Sequence, residues 1–510
     1  MSYICLDSST SSTTVVVFDK DLNLQKRFQK EHRQIYTIEG FVEHDLEEIY
    51  NNLIELMKKA TQFSPNPEFI SMTNQRETFA IFDKLTGRPI RNAVVWQCTR
   101  GEEICEKILR NSETSKIIAQ KTGLKANTFF SASKLKWVIE NEPHIKEGLL
   151  NGNFLFGTID TYLLYRLTKG QNYETDTTNA SRTLLFNCQD NYWDPELFLV
   201  FEIDPFELAA VKPSSSNFGF SDFENCFSKK IPITGIAGDA QASFFANLCF
   251  SLGDSKITTG TGFNIQTNIG TSFKIDHNAF TTLAFNHNQK NYYCLECLNS
   301  VAGATISWLK NNLKLIKNDN ESESFSQMVD DSGGVSLIPA FTGLGPPFWK
   351  ANARATYIGI NTSTTKNHLV RAALESVAFQ MVVYLEFLQR ENNFRLKNLI
   401  VDGGMIKNKL FLQMIADLLK IEVIVPDIEE MSSYGVLLFG IQKEKKISDL
   451  KDLKKYAVNQ TTIPFQENPN LQQSYKTWKE MIDKYFLSNQ EKNKKFYLNK
   501  IKNWVIVYQL

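Results

Sequence analysis

The sequence contains no Gly-Lys dipeptide, which removes the commonest nucleotide-binding loop, whose lysine follows a glycine in a glycine-rich turn. No apolar stretch approaches the roughly 20 residues needed to span a bilayer. No basic leader precedes the opening Ser2-Tyr3-Ile4-Cys5-Leu6-Asp7, so no secretory signal is expected and the chain reads as cytoplasmic. An excess of charge is missing too: 56 basic and 56 acidic residues cancel. Such a chain has no global attraction for phosphate backbones, so nucleic acid is not an expected partner. Histidine is scarce, and the six present show no close pair at ligand spacing, so a zinc site is not expected. Eight scattered cysteines make no disulfide framework and suit a reducing compartment. Cys294-Leu-Glu-Cys297 has redox or metal spacing without a second pair. It lies in a strand-like run, where residues three apart face opposite sides, and packing is the simpler reading.

At 510 residues the chain exceeds what one hydrophobic core usually serves, so at least two domains are expected. Apolar Tyr3–Leu6, a hydroxyl-rich turn from Asp7 to Thr13, and β-branched Thr14–Asp19 predict two strands joined by a polar turn. A helix is predicted over Leu46–Lys59, with Ile49, Leu53, Ile54 and Met57 at helical spacing. About 250 residues later the pattern returns: Pro232–Ala237 reads as a strand and Asp239–Phe250 as a helix, then Lys256–Thr259, Gly260-Thr261-Gly262 and Phe263–Thr267 form another hairpin. The recurrence suggests a duplicated α/β unit with a cleft between copies, divided near 248/249 into 1–248 and 249–510. A helix over Asn367–Arg390, a strand Leu399–Val401, and a helix Leu410–Leu419 follow. Lys317–Gly334 is polar and reads as surface, and residues after about Gln466 read as a terminal extension. Trp504–Tyr508 reads as a strand or docking segment, and the basic stretch Lys492–Lys502 has no assigned role.

Without a P-loop, phosphate can be held by hydroxyls and backbone N–H groups in a tight turn. Asp7-Ser8-Ser9-Thr10-Ser11-Ser12 offers hydroxyls after a carboxylate that could reach magnesium. A serine-rich surface turn would look the same. Its recurrence as Thr258-Thr259-Gly260-Thr261-Gly262 favours function, because glycines permit close backbone approach. Asp402-Gly403-Gly404 with Asn408, and Gly303, could admit a flat ring or phosphate, or serve only as turns and close packing. Asp239, at the end of a strand and the start of a helix, could accept a proton from an attacking hydroxyl or merely cap its helix. Arg76-Glu77 pairs a donor fork with an acceptor, a combination suited to neighbouring hydroxyls, although exposed Arg-Glu pairs are common.

These pieces in this order resemble the glycerol kinases of the FGGY carbohydrate kinase family. The resemblance runs from Asp7 to about Gly440. It includes Gly40-Phe41-Val42-Glu43-His44-Asp45, Thr73-Asn74-Gln75-Arg76-Glu77-Thr78, Asn92-Ala93-Val94-Val95-Trp96-Gln97 and Phe130-Ser131-Ala132-Ser133-Lys134-Leu135-Lys136-Trp137. Thr178-Asn179-Ala180-Ser181-Arg182-Thr183, Gly235-Ile236-Ala237-Gly238-Asp239 and Val401-Asp402-Gly403-Gly404 continue it. The resemblance implies two ribonuclease-H-like domains of the actin and hexokinase type flanking a central cleft. It implies ATP and magnesium as cofactors, glycerol as acceptor and a possible homodimer. Asp239 would be the general base. Arg76, Glu77, Trp96, Phe129 and Asp239 would bind the polyol. Thr10, Ser11, Ser12 and Thr261 would line the phosphates, Gly303, Gly404 and Asn408 the adenosine side, and Asp7 with Asp239 the metal.

Departures from the family pattern are local. Ser9 replaces a glycine of the first turn, Thr14 an arginine, Phe129 a tyrosine and Ala240 a glutamine. Asn264 stands where an aromatic is common, beside Phe263, and Ser307 where a glutamine is usual. The Gly-Arg loop that binds a sugar bisphosphate regulator in some bacterial members is missing before Ile231. A kinase of another small polyol or sugar, and a weakly active or non-catalytic binding relative, therefore stay open beside glycerol phosphorylation.

Overall fold

The computed structural model describes residues 1–276 and 278–487. Two compact units divide the chain, and neither is contiguous. The first comprises Met1–Leu252, Thr267–Glu296 and Glu430–Val458. The second comprises Gly253–Gln266, Cys297–Glu429 and the described residues from Asn459 onward.

Unit one is built on strands β1 (Ser2–Ser8), β2 (Ser12–Asp19), β3 (Leu24–Glu31), β4 (Ile70–Asn74), β5 (Asn217–Ser221) and β6 (Ile231–Gly238). They lie in the order β5-β6-β4-β1-β2-β3. β1, β2 and β3 are antiparallel, β4 and β6 run parallel to β1, and β5 returns antiparallel to β6. Parallel neighbours end at the same edge of a sheet. Register pairs Asp7 with Thr73, Ser8 with Asn74, and Gly238 with Asn74. The serine-rich turn, the turn before Arg76 and the strand end before Asp239 are thereby gathered on one edge, from three distant stretches of sequence.

The apolar residues of β1 and β2 face a core shared with helix α1 (Leu46–Ala60), where Leu53 and Met57 pack against Ile4, Leu6, Val15 and Val17. Asp45 caps α1 by accepting from the N–H groups of Glu47 and Glu48. A second core, around Phe79, Val94, Phe130, Leu135 and Phe156, lies under a five-stranded sheet. Helix α2 (Asp239–Ala246) ends short of the expected Phe250, because Leu248 adopts a left-handed φ of 52° that a continuing helix cannot accommodate.

Unit two repeats the plan. Strands β7 (Ser255–Thr259), β8 (Phe263–Gly270, which carries a division point between units), β9 (Leu399–Gly403), β10 (Val423–Pro426) and β11 (Gln460–Ile463) lie in the order β8-β7-β9-β10-β11. β9 is parallel to β7, β10 parallel to β9, and β11 antiparallel to β10. This is the order β2-β1-β4-β6-β5 of unit one. Helices α3 (Gly303–Asn311), α4 (Lys366–Asn392) and α5 (Lys409–Leu419) accompany it. The residues after Gln466 are not merely an extension. Helix Pro469–Ile482 docks on unit two, where Trp478 is fully buried and donates its indole N–H to the Leu337 carbonyl at 2.8 Å. Lys492–Lys502 and Trp504–Tyr508 lie outside the described residues. Among the described residues no helix is long and apolar enough to cross a membrane.

Candidate active site

The turn joining β1 to β2 is held from beneath by side chains. His32 Nε2 and Gln34 Nε2 both donate to the Thr10 carbonyl, at 2.9 and 2.7 Å. Gln75 Nε2 donates to the Ser9 carbonyl at 3.2 Å. Ser9 Oγ donates to the Ser12 carbonyl at 2.9 Å, and Gln29 Nε2 donates to Ser12 Oγ at 2.7 Å. Ser9 has no left-handed φ, so a side chain in place of the family's glycine carries no backbone strain here. Thr10 is half-buried, Ser11 exposed and Ser12 buried.

Asp7, near the end of β1, is half-buried, and its buried Oδ1 has no hydrogen-bond partner. Burial pushes its pKa well above the usual carboxylate range, and the Asp239 and Glu430 carboxylates push the same way against a smaller opposing pull from Arg27. An unpartnered buried carboxylate oxygen among negative neighbours is a place that a divalent cation fits, since the cation supplies the missing positive charge. Among the described residues there is no group of three or more His, Cys, Asp or Glu side chains arranged to hold a metal by themselves.

Arg76, Glu77 and Asp239 come together, joined by two residues that sequence reasoning passed over. Arg76 Nη1 pairs with Glu296 Oε1 at 2.9 Å and Arg182 Nη1 with Glu296 Oε2 at 2.6 Å. Arg182 Nε pairs with Glu77 Oε1 at 2.6 Å, and Arg76 Nε lies 3.5 Å from Asp239 Oδ1. Two guanidiniums thus face three carboxylates. The Glu77 and Glu296 side chains are 7% and 0% exposed, whereas Asp239 is 38% exposed. Of these three carboxylates, Asp239 is by far the most exposed. Arg182 was visible in the Thr178–Thr183 segment, and Glu296 sits between the two cysteines whose spacing drew notice. A charged residue within an apolar strand run was the available signal.

Glu77 adopts a left-handed φ of 63°, and the Thr78 N–H donates to the Arg76 carbonyl at 2.7 Å. That is the rarer kind of γ-turn, and such backbone costs about 1–3 kcal/mol unless surrounding contacts impose it. Here the Ser131 hydroxyl on the Glu77 carbonyl (2.8 Å) and Arg182 on its carboxylate do so. The Trp96 indole N–H donates to Thr10 Oγ1 at 3.0 Å, tying this ring to the serine-rich turn. The rings of Trp96 and Phe129 lie 6.0 Å apart and form one apolar wall.

In unit two, Thr261, Gly303, Gly404 and Asn408 line one cavity of about 390 Å³, together with Asn320, Ser322 and Glu323. The last three belong to the stretch read as plain polar surface. A Cβ at Gly303 would lie 2.6 Å from the Gly260 carbonyl oxygen, so this glycine lets α3 approach the hairpin. Beside Gly404 nothing lies closer than 4.0 Å, and it opens on the cavity. Asn408 caps α5, its Oδ1 accepting from the Phe411 N–H at 2.9 Å and its Nδ2 donating to Ser322 Oγ at 3.3 Å. Its side chain thus holds two cavity walls together.

Comparison with known proteins decides the family. Residues 2–246 match the N-terminal domain, and residues 255–442 the C-terminal domain, of the FGGY family of carbohydrate kinases. The chain belongs to that family. It is 37% identical over 490 residues to glycerol kinase 1 of Thermotoga maritima, covering 95% of this chain and 99% of that one. It is likewise 37% identical to the glycerol kinase of Francisella philomiragia, covering 94% and 98%. The crystal structure of Plasmodium falciparum glycerol kinase with ADP superposes with a TM-score of 0.89 at 33% identity, covering 95% and 98%. The repeated strand order traced above is the two-domain FGGY kinase fold, of the actin and hexokinase kind. An FGGY kinase is a phosphotransferase.

Proposed function

We propose that this FGGY kinase transfers the terminal phosphoryl group of ATP to glycerol, giving ADP and sn-glycerol 3-phosphate. The observation that carries the reading is the contrast in exposure between Asp239, at 38%, and the far less exposed Glu77 and Glu296, at 7% and 0%, that flank Arg76 with it. In this mechanism Asp239 takes the proton of the attacking hydroxyl as its oxygen bonds to phosphorus and the bond to the ADP oxygen breaks, in line. Arg76 donates to, and Glu77 accepts from, the neighbouring hydroxyls, while Trp96 and Phe129 cover the carbon edge. In unit one, Thr10, Ser11 and Ser12 are assigned to phosphate binding; in unit two, Thr261 is assigned to phosphate and Gly303, Gly404 and Asn408 to the adenosine side. Asp7 and Asp239 would hold magnesium, which when bound neutralises phosphate charge. The assignment of polyol and phosphate binding to 1–248, and of nucleotide binding to 249–510, belongs to this proposal, as does a cytoplasmic enzyme.

Glycerol is favoured by the full-length similarity to glycerol kinases. Phe129 and Ala240, where a tyrosine and a glutamine are usual, make a second small polyol the alternative acceptor. The test is ADP production with ATP-magnesium over a panel of polyols, in the native chain and in Asp239→Asn. Glycerol should be the best acceptor, and the variant should lose about 10²–10⁴ in turnover. Undiminished turnover in Asp239→Asn would sink the mechanism, and a longer polyol outrunning glycerol would replace the acceptor.

A further inference from the structure

We infer that Lys134 is a positioning residue that fixes the aromatic wall of the acceptor site and so holds the enzyme to short polyols. The inference rests on the reading that Trp96 and Phe129 cover the acceptor's carbon edge.

Lys134 is 0% exposed and lies in the first turn of helix Ser131–Asn141. Both placements are unfavourable for an ammonium. Burial strips its water, and a helix N-terminus repels positive charge. It makes no ion pair among the described residues. A methionine of similar shape would fill the space without these penalties. The amine instead donates to the Phe129 carbonyl at 2.8 Å, to the Trp96 carbonyl at 3.4 Å and to the carbonyl of Thr128. Those three acceptors come from two separate stretches of chain, and two of them are the backbones that carry the rings of the wall. One turn back on the same helix, Ser131 Oγ holds the Glu77 carbonyl. The helix start thus grips three acceptor-site residues by their main chains, and Lys134 sets the spacing of Trp96 from Phe129.

Three oxygens match the three N–H groups of an ammonium, whereas a neutral amine has two and turns a lone pair on the third oxygen. The charged and titratable groups facing it are Glu77, Cys98 and Cys105, which favour its charge, and Arg100, which opposes it. Burial is the largest influence and pulls its pKa from 10.5 down to about 7. The clamp is therefore whole at acid pH and loosens as pH rises through that range.

The experiment compares native chain and Lys134→Met in steady-state ADP production, with glycerol and with four- and five-carbon polyols, alongside thermal unfolding. Losing charge-assisted hydrogen bonds to the wall should raise the glycerol KM about tenfold or more. Turnover should stay within about threefold, since Asp239 is untouched. Discrimination against the longer polyols should narrow. A glycerol KM within about twofold of native, or a fall in kcat with KM unchanged, overturns the inference. Should Lys134→Met fail to fold, the native chain decides: its glycerol KM should rise with pH between about 6 and 10, and a flat profile overturns the clamp. If another polyol turns over in place of glycerol, the acceptor reading fails, and the clamp is judged on that polyol's KM by the same criteria.

Discussion

The turn after β1 carries Ser8 to Ser12 and is held at its carbonyl oxygens by His32, Gln34 and Gln75. The turn after β7 carries Gly260-Thr261-Gly262 and is held by main chain. Gly260 N–H reaches the Gly262 carbonyl at 2.8 Å, and the N–H groups of Gly303 and Ala302 reach the carbonyls of Gly260 and Thr261 at 3.0 Å. The two turns occupy matching places in the same strand order, yet one depends on titratable and amide side chains and the other on glycine. Duplication preserves topology. The local means of shaping a turn is free to diverge, provided the polar groups find partners. Unit one should accordingly be sensitive to charge and pH, and unit two to added volume.

The largest effect expected from that contrast is at Glu296. Replacing it with Gln leaves Arg76 and Arg182 buried with one carboxylate fewer, and breaking such a buried pair costs about 3–5 kcal/mol. Denaturant unfolding measures it. A loss under about 1 kcal/mol would show that the network tolerates an uncompensated charge and that the acceptor side does not hinge on it.

Acid comes next. His44 lies beneath the first turn with both ring nitrogens in use, Nε2 donating to Gln34 Oε1 at 2.8 Å and Nδ1 accepting from Gln75 Nε2 at 3.3 Å. Burial, followed by the neighbouring His32, pulls its pKa from 6.5 down to about 3. The unfolded chain therefore binds a proton here that the folded chain refuses. Stability from this site is complete above about pH 6.5 and declines as pH falls toward 3. Each pH unit is worth about 1.4 kcal/mol, or about 2 kcal/mol by pH 5. His44→Gln should flatten the acid limb of a stability-pH curve, and an unchanged slope would assign acid sensitivity elsewhere.

Gly303→Val tests the glycine-built side. Its Cβ would meet the Gly260 carbonyl oxygen at 2.6 Å, and backbone cannot yield as a side-chain end can. Overpacking of this kind costs about 1–3 kcal/mol. If it falls on nucleotide binding, the ATP KM rises about 5- to 100-fold while the glycerol KM stays put. A rise in both constants would mean that the hairpin serves more than the nucleotide.

Repetition of strand, turn and strand made the duplicated plan legible, because alternating apolar runs and turn residues are local signals. β1, β2, α1 and α4 fall within a few residues of their expected limits. The Asp239 strand end was legible for the same reason. Glu296 and Arg182 were not, because their meaning depends on pairings 114 residues apart. Sequence shows a buried charge but not its partner. Ser322 and Glu323 were hidden by their own polarity, since a cavity wall and a solvated face have the same composition.

The smallest effect bears on the first turn directly. Ser9 stands where a glycine is usual, and composition alone would suggest that Ser9→Gly repairs the turn. The geometry argues the reverse. Ser9 needs no left-handed φ, and its hydroxyl donates to the Ser12 carbonyl at 2.9 Å and meets Ser12 Oγ at 3.1 Å. Glycine would forfeit a bond worth about 0.5–1.5 kcal/mol. It would also give the unfolded chain more freedom to lose, a further cost of under about 1 kcal/mol. Both terms have the same sign, so Ser9→Gly should lower the unfolding free energy by about 1 kcal/mol and raise the ATP KM a few-fold. A tighter ATP KM in Ser9→Gly would show that this turn, like the one after β7, works best when glycine shapes it.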